Sequence, residues 1–305
     1  MNKSLNSVLT FVTTLCLILL VTGCGTQNSK TESQGSPYDA VYSNLVDLES
    51  QDVLRTALEE AGVQKPYIDA LLENIIQYNA ATGDILPVQS GFAVFTENAA
   101  SAYDSTKLER KWKSKYGNLT GRRNCRLTAF EAMGSLISYD TASQVTEPMM
   151  LVEINDSSVF QSDSDIRQFT LLFNGIESSE NISVSEQAEQ INEYWRQTGI
   201  SFQGNNNISL ISIWFNGSDI YDDSDQYILH CGHAAVLIHT KSEGVMLLEK
   251  LDYNFPYQLI IFPGEEQALK YIVDFNCAEN NDSEIVPIVF VDDRLLKMEN
   301  GLLVY

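Results

Sequence analysis

The sequence predicts an α+β domain with an antiparallel sheet, and three observations carry that expectation. Segments with apolar residues at helical spacing come mostly first, strand-like apolar runs come mostly later, and neither an internal repeat nor a second linker divides the chain. In order, "SQDVLRTALEEAGV" and "KPYIDALLENIIQYNAATG" read as two helices. The second carries Ile68, Leu71, Leu72, Ile75 and Ile76 at helical spacing, with Pro66 at its start and Gly83 past its end. "STKLERKWKSKYGN" is a basic third helix closed by Gly117, and "CRLTAFEAMGSLI" is a fourth. The polar residues Thr128, Glu131 and Ser135 of the fourth helix share one narrow side, so it is expected to lie deep in the domain. "MMLVEI" and "FTLLFNGI" read as strands, "SEQAEQINEYWRQTG" as a helix and "NISLISIWFNG" as a strand. From His233 the chain reads as a meander, "HAAVLIHT", "VMLLEKL" and "YQLIIF", with a turn at "KSEG". A helix at "EEQALKYIVDF" and a strand at "IVPIVFVDD" follow.

The N-terminus is read separately. Lys3 precedes the apolar run "VLTFVTTLCLILLVTG", which has signal-peptide length and is short for a membrane span. "VTGC" at its end resembles the bacterial lipobox, in which the cysteine is diacylated and becomes the mature N-terminus. The resemblance implies cleavage after residue 23, lipidation of Cys24 and anchoring to the outer face of the cell membrane by two acyl chains. Residues 24–37, "CGTQNSKTESQGSP", are polar and read as a flexible tether. Residues 38–305 are then expected to form a single domain.

The chain has 19 basic and 41 acidic side chains, a formal net charge of −22. That balance argues against nucleic acid as a partner. The distribution is uneven: residues 140–189 hold ten acids and one base, Arg167, while residues 107–126 hold eight bases and one acid, Glu109. The basic island ends around Cys125. Of the five cysteines, Cys16 lies in the signal and Cys24 is the lipid site, which leaves Cys125, Cys231 and Cys277. An odd, sparse set of this kind is not a disulfide framework.

Cys125 follows a Gly-Arg-Arg-Asn turn and opens a helix, where unpaired N–H groups and the helix dipole favour a thiolate. Arg122, Arg123 and Arg126 are expected to add to that effect. The three histidines, His230, His233 and His239, fall within ten residues, and His233 heads an apolar run with Gly232 behind it. In the next strand Glu249 is an acid in the otherwise apolar "VMLLEKL", with Asp252 close behind. Strand parity decides between the two acids. A connection of odd length puts Glu249 on the face of His233, and one of even length puts Asp252 there.

A cysteine opening a buried helix, a histidine heading an antiparallel strand and an acid on the next strand resemble the papain-like superfamily, most of all its NlpC-type and CHAP-type branches, which cut peptide or amide bonds in bacterial cell walls. The phrases "NCRLTAF", "GHAAVLI" and "LLEKLDYNFPYQ" also resemble an uncharacterised bacterial lipoprotein family known as a domain of unknown function. The first resemblance implies N-terminal helices and a Cys-bearing helix packed on an antiparallel sheet. It gives Cys125 the nucleophile's role, His233 the base's and Glu249 the orienting group's, with no cofactor. Asn124 or Asn118 would add an oxyanion donor to the Cys125 N–H, and the acidic segment 140–227 would be an insertion. The function expected is a thiol hydrolase or acyl transferase acting on a peptide or amide bond, with cell-wall peptide or protein as substrate. Two rivals stand beside it. One is a non-catalytic surface binding module, using the aromatic, acidic stretch "SIWFNGSDIYDDSDQY". The other is a zinc site from Cys231 and His233, on one face of a regular strand, completed by Cys125 or Cys277. "DDSD" lacks the spacing of a calcium loop.

Overall fold

A computed structural model describes residues 38–96, 103–145, 148–203, 207–218, 227–241, 244–278, 286–299 and 302–304. Cys24, expected to be the lipidation site, the segment 24–37, expected to be a tether, and "DDSD" lie outside these residues. So does the side chain of Cys277.

The chain opens with a short strand, β1 (Val41–Ser43), and two helices, α1 (Leu48–Glu60) and α2 (Lys65–Thr82). Asp47 caps α1 by accepting from the Ser50 N–H, and Pro66 sits in the first turn of α2, where its missing N–H costs nothing. After β2 (Ala93–Val94) comes the basic helix α3 (Ser105–Tyr116), which Gly117 ends in a left-handed conformation at φ 80°. Helix α4 (Cys125–Met133) is capped by Asn124 and every one of its residues is buried, as its wheel predicts.

A short strand β3 (Ile137–Ser138), helix α5 (Asp163–Phe173), strand β4 (Ile176–Ser178), helix α6 (Val184–Thr198) and strand β5 (Ser201–Phe202) follow. Two expectations fail here. "MMLVEI" is a 3₁₀ turn at Val152–Asn155, entered through Met150 at φ 60°, a conformation no strand continues through. "FTLLF" ends helix α5, because Ser162 caps it and Asp163 and Asp165 favour its first turn. A five-residue apolar run is too short to show its period by itself.

The sheet is built by β6 (Ile208–Ser218), β7 (Tyr227–His239), β8 (Val245–Lys250) and β9 (Tyr257–Phe262), with β10 (Ile288–Val291) and β11 (Arg294–Leu295) beyond β6. Helix α7 (Glu265–Ala278) lies between β9 and β10 in the chain, and β12 (Lys297–Glu299) and β13 (Leu302–Val304) form a separate pair. The strand order is β11-β10-β6-β7-β8-β9-β1-β2, with β4 also paired to β7, and every pairing is antiparallel. The chain is therefore α+β with a large antiparallel sheet.

Side chains alternate between two cores. Leu210, Val236, Leu248 and Leu259 join the helices α1, α2, α4, α5 and α6, whereas Ile211, Leu237, Leu247 and Ile260 face Ala268, Leu269 and Ile272 of α7. Burial on both faces explains why β7 reads as an unbroken apolar run. Residues 140–227 supply β6, which lies between β10 and β7. The described residues, from Tyr38 onward, form one compact unit.

Candidate active site

The site is assembled by α4, β7 and β8. Asn124 holds the start of α4 with its side-chain oxygen on the Leu127 N–H, at 3.0 Å. The N–H groups of Cys125 and Arg126 stand in the first helical turn, with no acceptor inside the helix. Helix α4 packs on β7 and β8, which brings Cys125 to β7 with its Sγ 3.9 Å from the Gly232 carbonyl. Cys125 is 5% exposed.

Strand β7 begins at Tyr227, so His233 stands inside it and not at its head. The ladder with β8 runs only from His239 to Ala235, which is paired with Glu249, so His233 lies just past the point where β8 stops pairing. On the other side Ile213 pairs with His233 but Trp214 pairs with Cys231, which makes Gly232 the extra residue of a bulge. A Cβ on Gly232 would stand 2.6 Å from the Phe215 ring, so only glycine fits there. The bulge has a second consequence. It turns Cys231 and His233 to opposite faces, Cys231 into the helical core with Trp214. The zinc pairing expected from "HCGH" assumed a regular strand, and the bulge removes it. Cys231 instead donates its thiol to the His233 carbonyl at 3.2 Å, and burial pushes its pKa far up.

The β7–β8 connection, residues 240–244, is odd in length, and Glu249 duly shares the face of His233. Its Oε2 lies 3.4 Å from His233 Nε2, and Glu249 is completely buried. Neither atom has a hydrogen bond, so this is an ion-pair contact whose direction falls short of one. The other carboxylate oxygen accepts from the Tyr271 hydroxyl of α7 at 2.6 Å. Burial pulls the His233 pKa down. The Cys125 thiol and the Glu249 carboxylate beside the ring more than reverse this, pushing it up to about 10 and favouring the charged ring at neutral pH.

Asp252 belongs to its own turn, where it accepts from the Tyr253 N–H at 2.6 Å. Nor does Glu249 pair with its neighbour Lys250. That ammonium is wholly buried, donates to the carbonyls of Asp252, Tyr253 and Phe255, and lies 4.2 Å from the Tyr78 ring centroid. Of the two expected oxyanion asparagines, Asn124 has its amide engaged elsewhere and Asn118 stands in an exposed loop. The Asn124 amide donates to Glu153 at 2.5 Å, and Asn118 accepts from Thr120.

The arginine cluster is likewise dispersed. Arg122 bonds Asn254 and the Leu119 carbonyl, and Arg123 pairs with Glu131 at 2.7 Å. Only Arg126 acts directly on the Cys125 charge, and it is paired with Glu153 at 2.7 Å. Glu153 and Tyr271 escaped the sequence reading. Glu153 carried the same signal as Glu249, an acid in an apolar run, whereas Tyr271 carried none.

Residues 41–296 match a known family described as "Domain of unknown function (DUF4300)". The chain belongs to that family. No curated protein and no solved structure matches it. The DUF4300 match spans every residue of the site, from Cys125 to Tyr271.

Proposed function

We propose that this DUF4300 protein is a thiol hydrolase or acyl transferase acting on a peptide or amide bond, with Cys125 as nucleophile. The observation that carries the reading is the buried Glu249 carboxylate 3.4 Å from His233 Nε2, with the Cys125 Sγ 3.9 Å from the carbonyl of Gly232, the residue before His233. The order of the three residues, and a cysteine opening a buried helix on an antiparallel sheet, support a papain-like core of the NlpC or CHAP kind.

In this reading the Cys125 thiolate attacks the carbonyl carbon, and the Cys125 N–H at the helix start receives the developing oxyanion. His233 gives its proton to the leaving amine, which departs and leaves a thioester on Cys125. Water, or an acceptor amine in a transferase, then attacks the thioester while His233 takes its proton, and the thiolate is released. Glu249 holds the ring and stabilises its charged form. The sequence resemblance to a lipobox supports diacylation of Cys24, placement on the outer face of a membrane and cell-wall peptide or protein as substrate. A Cys24→Ala variant should be released or left unprocessed, and unchanged membrane retention with unchanged mature mass would refute the anchoring.

A non-catalytic binding module has one observation on its side, the near-complete cover of Cys125 and His233, at 5% and 6% exposed. Alkylation separates the two readings. Iodoacetamide labelling of Cys125 in the folded protein, followed by mass spectrometry, should proceed well below the ordinary thiol pKa of about 8.5 and slow sharply in His233→Ala. An ordinary thiol profile, or no labelling until the protein unfolds, would favour the binding module.

A further inference from the structure

Glu153 sits wholly buried on the 3₁₀ turn 152–155, and one of its oxygens takes groups from both neighbours of the proposed nucleophile. Oε1 accepts from Asn124 Nδ2 at 2.5 Å, from Arg126 Nε at 2.8 Å and from Arg126 Nη2 at 2.7 Å. The remaining Arg126 nitrogen, Nη1, donates to the Cys231 carbonyl at 3.2 Å and the Met150 carbonyl at 3.1 Å. Cys231 lies two residues before His233. Arg126 therefore ties the start of α4 to the strand that carries the base, and Glu153 clasps the residues on both sides of Cys125. Met150 holds a left-handed conformation, φ 60°, that a methionine rarely adopts, and its carbonyl is one of the two that Nη1 binds.

We propose that Arg126 and Glu153 are positioning residues for Cys125: they fix the thiol against His233, and Glu153 sets how much of the Arg126 charge the thiol feels. The inference rests on Cys125 acting as a thiolate beside His233. A buried ion pair contributes little net stability compared with apolar residues of the same shape, so stability alone does not call for this one. Its placement around one cysteine does. The other groups whose charge couples to the thiol are His233 and Cys231 on β7, Lys250 on β8 and Tyr253 in the turn that follows. Among the described residues Arg126 has Glu153 as its only carboxylate within ion-pair distance.

The test is the pH profile of iodoacetamide labelling at Cys125 in the full chain, with far-UV circular dichroism to confirm folding. Glu153→Gln keeps the shape of the side chain and leaves the Arg126 charge uncompensated. Its labelling midpoint should move to lower pH by about one unit, seen as about tenfold faster labelling on the acid limb. The double variant Arg126→Met/Glu153→Gln removes both charges together and should bring the midpoint back towards the wild-type value. Arg126→Lys keeps the charge but loses the planar fork, so it should label more slowly at every pH without a shift in midpoint. A folded Glu153→Gln protein with an unchanged or raised midpoint would overturn the proposal, as would a double variant that stays shifted like the single one. If Glu153→Gln does not fold, the folded double variant decides, because an unaltered labelling rate in it refutes the positioning role. Failure of the underlying hydrolase reading looks different: wild-type labelling would then be indifferent to His233→Ala.

Discussion

Replacing Glu249 by Gln removes the negative charge beside His233 while keeping an oxygen for the Tyr271 hydroxyl to donate to. Glu249 is wholly buried, and its free oxygen is 3.4 Å from His233 Nε2. At an effective dielectric of about 20 two unit charges at that separation attract by about 5 kcal/mol, an upper bound near 3.5 pKa units. The Tyr271 hydrogen bond draws charge to the other oxygen, so the usual range for an adjacent opposite charge, about 1–3 units, is the better expectation. The His233 midpoint, about 10 in the wild type, should fall by that amount in Glu249→Gln. The sign carries through to stability. A histidine whose folded pKa lies above its unfolded value of 6.5 contributes stability that is complete below pH 6.5 and is lost as pH rises through about 10. In the variant this loss should be complete at lower pH and be smaller in total. The assay is imidazole ¹H–¹⁵N NMR across pH 5–11, made tractable by a chain with only three histidines. His230→Gln and His239→Gln assign the signals. A His233 signal that titrates near 6.5 in the wild type, or does not move in Glu249→Gln, would refute the reasoning.

Three further predictions come from the same contacts. Gly232→Ala should cost about 1–3 kcal/mol in urea denaturation, because its Cβ would overlap the Phe215 ring, and Phe215→Ala should recover part of that loss. Burial pushes the Lys250 pKa down to about 7, so the unfolded chain binds more protons between pH 7 and 10.5 and stability from this residue rises with pH there; Lys250→Met should abolish the rise and leave the His233-linked decline exposed. Asn124→Ala removes the cap of α4 and should cost about 1 kcal/mol, with slower Cys125 labelling because Glu153 loses its hold on that side; unchanged labelling would sever Asn124 from the site.

Local chemistry made the three candidate residues stand out one by one. A cysteine after a Gly-Arg-Arg-Asn turn, a histidine after a glycine and an acid in an apolar strand are each visible within a few positions. The spacing of the β7–β8 connection then chose Glu249 over Asp252, because parity is a property of the sequence itself. What stayed hidden depends on partners far along the chain. Arg122, Arg123 and Arg126 looked like one cationic cluster, but their partners Asn254, Glu131 and Glu153 come from separate elements and draw two of the three away from the thiol. The bulge at Gly232 was equally invisible, since an extra residue exists only relative to the strand beside it, and "HCGHAAVLI" reads as one regular strand until β6 is set against it. That one residue decides the chemistry. Without it Cys231 and His233 would share a face and suggest a metal. With it, Cys231 turns into the helical core, and His233 turns to the face that carries Glu249.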